Sequence, residues 1–281
     1  MTVIIMMLTV VACYTICSLS DKYAVSSAGF NGNEFTFLMA ASTALFMLPC
    51  LPFLDCTVTL CWQSPAAVAL IAASKMLEFQ MGALVLKELS AFELKAWLGI
   101  TLFMSYITDI YCGEKASLLR FVFIIVTAAG LVFIADSGRK ENINYRSIVV
   151  PLAVYLLAKF GYGFIIKSFS GYISSSMQLF GALTVMSLIL LPKAAPKEIF
   201  RKNPKGAWVV IFTKIPNVAG LLLENAVIAV SLANYSFIQP MILISLFVIG
   251  LIKREKYTKL SLVGSVICIG GIIGFQLTGM L

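Results

Sequence analysis

The chain has 281 residues, of which 60% are apolar and only 12% are charged, and its formal net charge is +8. Together with a mean hydropathy of +0.97, this composition excludes an ordinary soluble domain and is typical of a polytopic membrane protein. The positive charge would also suit a nucleic-acid-binding protein, but basic residues in cytoplasmic loops explain it more simply in a membrane protein. We therefore expect the lipid bilayer, and no nucleic acid, as a partner.

Histidine is absent from the sequence, and the seven cysteines show no spacing typical of a metal site. Histidine is the commonest metal ligand and a frequent proton relay. Membrane-embedded enzymes usually need clusters of His, Cys or Asp, and no ATP-binding motif is present. We therefore expect a protein that is not an enzyme and that uses no cofactor or metal.

Ten apolar segments are long enough to cross a bilayer, whose hydrocarbon core of about 30 Å requires about 20 helical residues. The first segment lacks the charged region and cleavage site of a signal peptide, so it is predicted to be a spanning helix. The apolar runs are continuous and do not alternate, which favours helices over a barrel. The predicted helices are 1–19, 34–54, 64–86, 91–111, 117–136, 147–167, 172–191, 206–230, 233–252 and 259–280.

Polar residues interrupt the early helices. In the third, "SKMLEFQMGAL" places Lys75 and Glu78 in the middle of an apolar run, where each charge costs about 2.5–3.5 kcal/mol on insertion scales. The two residues are three apart, so they share one helical face and can neutralise each other. They form either a structural ion pair or part of a functional site. Tyr14 in the first helix is a further candidate.

The sixth helix carries Lys159 in "YLLAKFGYGFIIKSF". Three aromatic residues of the same segment, Tyr155, Phe160 and Tyr162, either line a cavity or pack against neighbouring helices. The small residues beside them permit close helix approach, which is the purely structural alternative.

The eighth helix contains Lys214 and Pro216 in its first half, and Glu224 and Asn225 near its centre. Proline is expected to kink the helix and free a carbonyl group. The alternative is a set of satisfied polar contacts between helices. In the ninth helix, Gln239 precedes Pro240, and this pair predicts a discontinuity.

The charged residues within the predicted spans carry both signs: Lys75, Glu78, Lys159, Lys214 and Glu224. A cavity lined by such a set suits a zwitterion or another small polar metabolite that carries charge. The lysines favour a carboxylate or phosphate, whereas the glutamates favour an amine. If transport is coupled to protons, Glu78 and Glu224 are the expected carriers, because histidine is absent.

Two junctions between predicted helices resemble each other. The first reads "GEKASLLRFVFIIVTAAGLVFI" from Gly113, and the second reads "REKYTKLSLVGSVICIGGIIGF" from Arg254. Their glutamates, Glu114 and Glu255, are 141 residues apart, and each is followed sixteen residues later by a glycine. With five helices in each half, the two halves would insert with opposite orientations, as in many secondary transporters.

These motifs resemble those of the drug/metabolite transporter superfamily, specifically its ten-helix EamA-like members. The resemblance implies an all-α integral membrane protein with ten transmembrane helices, arranged as two inverted five-helix repeats at residues 1–137 and 138–281. It also implies a central cavity near the membrane midplane. The chain departs from the family pattern where Arg254 replaces a glycine, and where Met39 and Ala40 stand in place of an arginine that many relatives have.

The loops between the predicted helices differ in charge. Even-numbered connections hold only Lys115, Arg120 and Lys167. The positive-inside bias therefore places the odd-numbered connections in the cytoplasm and both termini outside the cell membrane. The odd connections hold Lys22, Lys87, Arg139, Lys140, Arg146, Lys193, Lys197, Arg201, Lys202, Lys205, Lys253, Arg254, Lys256 and Lys259.

These features together predict a secondary-active transporter that moves a small polar or charged metabolite by alternating access around a midplane cavity. Proton coupling or exchange would supply the energy. The alternative is a channel or a non-transporting membrane partner protein, and a monomer and a homodimer are both compatible with the sequence. The residues predicted to bind substrate or couple its transport are Lys75, Glu78, Lys159, Lys214, Glu224, Asn225, Tyr14 and Gln239.

Overall fold

The protein is all-α in a computed structural model that describes residues 2–26, 28–89, 94, 97–98, 100–113, 115–137, 145–252 and 259–278. A 3₁₀ helix at Leu48–Phe53 extends α2 through two prolines. The α-helices are α1 Thr2–Ser26, α2 Gly32–Met47, α3 Gln63–Glu88, α4 Ile100–Tyr111, α5 Leu118–Ser137, α6 Tyr145–Phe169, α7 Ser175–Ala194, α8 Pro196–Lys202, α9 Pro204–Phe212, α10 Lys214–Val230, α11 Leu232–Ile252 and α12 Lys259–Thr278.

Seven helical segments within the described ranges are long and apolar enough to cross a membrane. They confirm a helical protein of the multi-pass membrane type. Helices α5 and α12 contain shorter apolar stretches, Leu118–Phe133 and Leu262–Phe275, and α4 has 12 residues. Residues 91–93, 95–96 and 99 of the predicted fourth span and the motif residues Glu114 and 254–258 lie outside the described residues.

Helix α2 begins with a capping box. The Asn31 side chain accepts a hydrogen bond from the Glu34 backbone N–H, and the Glu34 carboxylate accepts one from the Asn31 backbone N–H. These bonds satisfy donors that the first helical turn would otherwise leave unpaired. Lys202 then places its ammonium 3.2 Å from the Glu34 carboxylate, which ties the start of α2 to α8.

The predicted eighth span is interrupted at Thr213, between α9 and α10. Proline cannot donate a backbone hydrogen bond, and its ring disfavours the helical carbonyl four residues earlier. Pro216 therefore explains an interruption beside Phe212. Helix α1 holds the interruption in place, because the Cys17 thiol donates to the Thr213 carbonyl and Ser20 bonds the Thr213 hydroxyl. By contrast, α11 runs unbroken through Pro240, so the discontinuity expected after Gln239 is not observed.

Helices from the two halves of the chain pack as pairs: α5 with α12, α3 with α6, α1 with α10, and α2 with α7. Glycines allow close approaches between paired helices. A Cβ atom on Gly82 of α3 would lie 3.1 Å from the ring of Tyr155 on α6, and one on Gly220 of α10 would lie 2.7 Å from the ring of Tyr14 on α1. The two tyrosines are thus held against glycine faces.

Two ends of the molecule can be defined by contacts between connections. At the bridge end (residues 54–62 and 170–174), the Thr59 N–H donates to the Tyr172 carbonyl and the Ser174 N–H donates to the Thr57 carbonyl, both at 2.9 Å. The Asp55 carboxylate accepts bonds from the hydroxyl and N–H of Thr57, which lower its pKa.

At the basic end (residues 28–31 and 193–205), Lys202 donates to the Gly29 carbonyl at 2.8 Å. The short helix α8 lies at this end and is anchored by the fully buried Ile199. The basic residues of this end are Lys193, Lys197, Arg201, Lys202 and Lys205.

Candidate functional site

Two lysines and two glutamates form a buried chain of charges between α3, α6 and α10. The Lys75 ammonium lies 2.8 Å from Glu78 Oε2, and the Lys159 ammonium lies 3.5 Å from Glu78 Oε1 and 3.2 Å from Glu224 Oε1. All four residues are buried. We call Lys75, Glu78, Lys159 and Glu224 the charge cluster.

The charge cluster is electrically balanced, with two positive and two negative groups. A buried charge is costly unless it is paired and hydrogen-bonded. Glu224 meets this need on both oxygens, since Oε1 contacts Lys159 and Oε2 accepts a hydrogen bond from the Tyr14 hydroxyl. Together with Tyr14, the cluster therefore joins α1, α3, α6 and α10, and its four charged side chains are all buried.

Aromatic rings surround the lysines of the cluster. The Lys75 ammonium lies 3.8 Å from the centre of the Tyr162 ring, within the range of a cation–π interaction. The Lys159 ammonium lies 5.5 Å from the Tyr235 ring centre. Tyr162 in turn donates from its hydroxyl to the Asn225 side chain at 2.7 Å. The rings and the amide fix the positions of both ammonium groups.

A cavity of about 120 Å³ lies against the cluster. Its charged lining residues are Asp21, Lys75, Glu78 and Lys159, whereas the fully buried Glu224 lies behind the wall. Tyr14, Tyr155 and Gln239 also line the cavity. The volume corresponds to about four water molecules at about 30 Å³ each. The cavity can therefore hold a small polar solute in contact with charges of both signs.

Lys214 lies apart from the charge cluster. Its fully buried ammonium contacts Asp21 Oδ1 at 2.9 Å. Asp21 also lines the cavity. Sequence reasoning missed Asp21, because the first helix was predicted to end at residue 19 and α1 continues to Ser26. The available signal was Lys214 itself, since a lysine inside a span requires a nearby counter-ion.

A third charged site lies at the bridge end. Asp109, at the end of α4, is fully buried and lies 2.7 Å from the Lys167 ammonium of α6. The same carboxylate accepts hydrogen bonds from the N–H groups of Leu232 and Ala233 and from the Ser231 hydroxyl. Asp109 thus caps the start of α11, where the helix dipole favours negative charge.

The structure brings together most of the predicted site residues. Lys75, Glu78, Lys159 and Glu224 are in direct contact, and Tyr14 bonds Glu224. Asn225 accepts a hydrogen bond from Tyr162, whose ring lies against Lys75, and Gln239 lies on the cavity wall. Lys214 pairs with Asp21 instead. Phe160 stacks on Phe164 and is absent from the cavity lining.

The fold has a counterpart among solved structures. A structure described only as "Crystal structure of protein" matches with a TM-score of 0.71 over 99% of this chain and 97% of its own, at 12% sequence identity. This likeness concerns the fold alone. No protein-family model matches the chain, and no curated protein matches it either.

Proposed function

We propose that the chain is a secondary-active transporter of a small polar or charged metabolite, built as two inverted five-helix repeats of the drug/metabolite transporter type. The observation that carries the proposal is the charge cluster on the wall of a cavity where helices of both halves meet. Intramembrane ionisable residues are costly and usually serve a solute or ion pathway. Binding sites at the interface between repeats are typical of secondary transporters.

Equivalent glycine contacts support the two repeats. A Cβ on Gly130 of α5 would meet the backbone of residues 264 and 268 of α12, and a Cβ on Gly271 of α12 would meet residues 123 and 127 of α5. Each pair of corresponding positions is 141 residues apart, the offset that separates Glu114 from Glu255. A local two-fold relation between α5 and α12 explains this reciprocity.

The tyrosines of the cavity support the same relation. Tyr14 and Tyr155 are also 141 residues apart, both line the cavity, and each ring packs on a glycine of the opposite half. Helices α1 and α6 therefore occupy corresponding positions in the proposed repeats, residues 1–137 and 138–281.

The two ends of the molecule differ in a way that supports alternating access. Asp21, Phe35 and Leu86 of the cavity wall lie towards the basic end. The bridge end is sealed by Asp109, Lys167 and the backbone bonds between its two connections. We assign this structure to a state that faces the basic end, which the positive-inside bias assigns to the cytoplasm with both termini outside.

The alternating-access proposal can be tested without knowing the substrate. Spin labels at Val58 and Gly171, one on each connection of the bridge end, are placed in a variant whose native cysteines are replaced. Pulsed electron paramagnetic resonance should find the short separation of this structure and a second, longer one. Labels at Val58 and Ile107, within the proposed first repeat, should give one distance. A single short Val58–Gly171 distance in detergent, lipid and at all pH values contradicts the proposal.

A further inference from the structure

Glu78 lies between two lysines, in a position where a solute carboxylate would also be stabilised. Its two oxygens lie 2.8 Å from Lys75 and 3.5 Å from Lys159, and all three residues line the cavity. Lysine ammonium groups are the natural partners of carboxylates. A solute carboxylate that enters the cavity thus competes with Glu78 for the same two lysines.

Hydrogen-bond donors remain available on the same wall. An ammonium group has three N–H bonds; among the described residues Lys75 uses one on Glu78 and directs its charge at the Tyr162 ring. The Tyr155 side chain is more than nine-tenths buried and lines the cavity. Its hydroxyl donates no hydrogen bond to any residue that the structure describes. The cavity therefore offers donors to an acceptor-rich ligand.

The carboxylate of Glu224 stays in place when Glu78 is displaced, because Lys159 and Tyr14 hold both of its oxygens behind the wall. A bound solute carboxylate then leaves the cavity region with one negative charge too many. A desolvated site needs that charge balanced. The balancing charge is either an ammonium group on the solute itself or one proton on Glu78.

We propose that the cavity binds a small carboxylate-bearing solute between Lys75 and Lys159, in the place that Glu78 holds in its absence, together with one balancing positive charge. This inference rests on the proposed transport function and names its substrate class. The cavity volume of about 120 Å³ matches a small solute of a few non-hydrogen atoms.

The test uses the purified full chain in detergent and three probes of similar size: propionate, L-alanine and propylamine. Calorimetric titration should detect propionate or L-alanine and no propylamine. If the enthalpy of propionate binding differs between two buffers that have different ionisation enthalpies, a proton is the balancing charge. L-alanine binding without that change identifies the ammonium group. Binding of propylamine alone, or of none of the three, overturns the proposal.

Two variants separate the roles of the wall residues. Lys75→Gln should weaken carboxylate binding at least about 30-fold, since it removes one partner of a buried charge pair. Glu78→Gln should strengthen propionate binding at least about tenfold, because a competing negative charge is gone, and should abolish any proton uptake. If Glu78→Gln weakens binding as much as Lys75→Gln, Glu78 is a ligand-binding group and the proposal fails.

Controls guard against misfolding. Lys202→Gln removes a lysine of the same kind from a pair outside the cavity and should leave binding unchanged. Lys75→Gln combined with Glu78→Gln removes one charge of each sign, so it should fold if Lys75→Gln alone does not, and it should still fail to bind. Bridge-end movement without carboxylate binding would retain the transport proposal and end this one. Carboxylate binding without bridge-end movement would retain the binding site proposed here and end the transport proposal.

Discussion

Lys159 is the residue on which the charge cluster depends, because its ammonium contacts the carboxylates of both Glu78 and Glu224. These carboxylates come from different helices, α3 and α10, and Lys159 itself belongs to α6. A single side chain thus bridges two buried acids, one of which also pairs with Lys75. Its loss leaves Glu224 with a hydroxyl donor but no positive partner.

Lys159→Met is expected to destabilise the protein by about 3–5 kcal/mol, the usual effect of removing one partner of a buried ion pair. The free energy of unfolding can be measured by denaturant titration in mixed micelles. Lys202→Met is the matched control, since the Lys202 side chain is 46% exposed and such pairs contribute at most about 1 kcal/mol. Equal effects of the two changes would contradict a balanced buried cluster.

The two cavity tyrosines offer a second test at this scale. Tyr14→Phe removes the hydrogen bond to Glu224 and should cost about 1–3 kcal/mol, because a buried carboxylate oxygen loses its donor. Tyr155→Phe should leave stability nearly unchanged, since the Tyr155 hydroxyl forms no hydrogen bond with a described residue. Thermal unfolding of both variants decides. A larger loss for Tyr155→Phe than for Tyr14→Phe would refute the assignment.

Local spacing made part of the cluster predictable. Lys75 and Glu78 are three residues apart on one helix, so their pairing follows from helical geometry. The contact between Lys159 and Glu224 joins positions 65 residues apart, and no local pattern specifies it. Asp21 was missed for a related reason. The apolar run predicted a helix end at residue 19, whereas α1 continues to Ser26 and Lys214 pairs with Asp21 across the two halves.

At the scale of helices, the closest packing is between α5 and α12. Glycines on each helix allow the backbones to approach, as small residues commonly do between membrane helices. A Cβ on Gly271 would lie 2.8 Å from the Thr127 backbone nitrogen, whereas a Cβ on the adjacent Gly270 would meet nothing within 4 Å. Gly271 therefore allows the close contact with α5, whereas Gly270 does not take part in it.

Gly271→Ala should destabilise the protein by about 1–3 kcal/mol through overpacking against α5. Gly270→Ala should be neutral or slightly stabilising, because alanine favours the helix by about 0.5–1 kcal/mol over glycine. Thermal unfolding of the purified variants in detergent compares them directly. A loss of stability in both variants, or in neither, would contradict the packing described for α5 and α12.

Helix positions were largely predictable from sequence, because continuous apolar runs mark them, but helix ends were not. Capping by Asn31 moves the start of α2 to Gly32, before the first strongly apolar residue of the predicted span. Proline was an unreliable guide, since it accompanies an interruption near Thr213 and none at Pro240. At Thr213, helix α1 supplies contacts to the interrupted backbone and side chain, as an interruption inside a membrane requires.

At the scale of the whole molecule, charged contacts occur at three levels. Asp109 and Lys167 lie at the bridge end, the charge cluster lies in the interior, and Asp21 pairs with Lys214 towards the basic end. Each level joins helices from both proposed repeats. Both outer pairs are formed in this structure, so a rocking motion that opens the bridge end would have to break the pair of Asp109 and Lys167.

Asp109→Asn is expected to favour opening of the bridge end. It removes the ion pair with Lys167 and weakens the cap of α11, while the amide retains the size of the carboxylate. The long Val58–Gly171 separation should become several-fold more populated, about the effect of 1 kcal/mol or more. Asp55→Asn, at the same end but facing Thr57, is the control and should leave the distribution unchanged.

The most direct test of the transport account follows a single cysteine at Leu221, on the cavity wall, in a variant without native cysteines. A membrane-impermeant maleimide is applied from either side of sealed vesicles of known orientation. Alternating access predicts that the cysteine is labelled mainly from the basic-end side. Asp109→Asn should then increase labelling from the bridge-end side and decrease labelling from the basic-end side. Equal labelling from both sides in every variant would indicate a channel. Labelling from one side only, unchanged by Asp109→Asn, would contradict transport by alternating access.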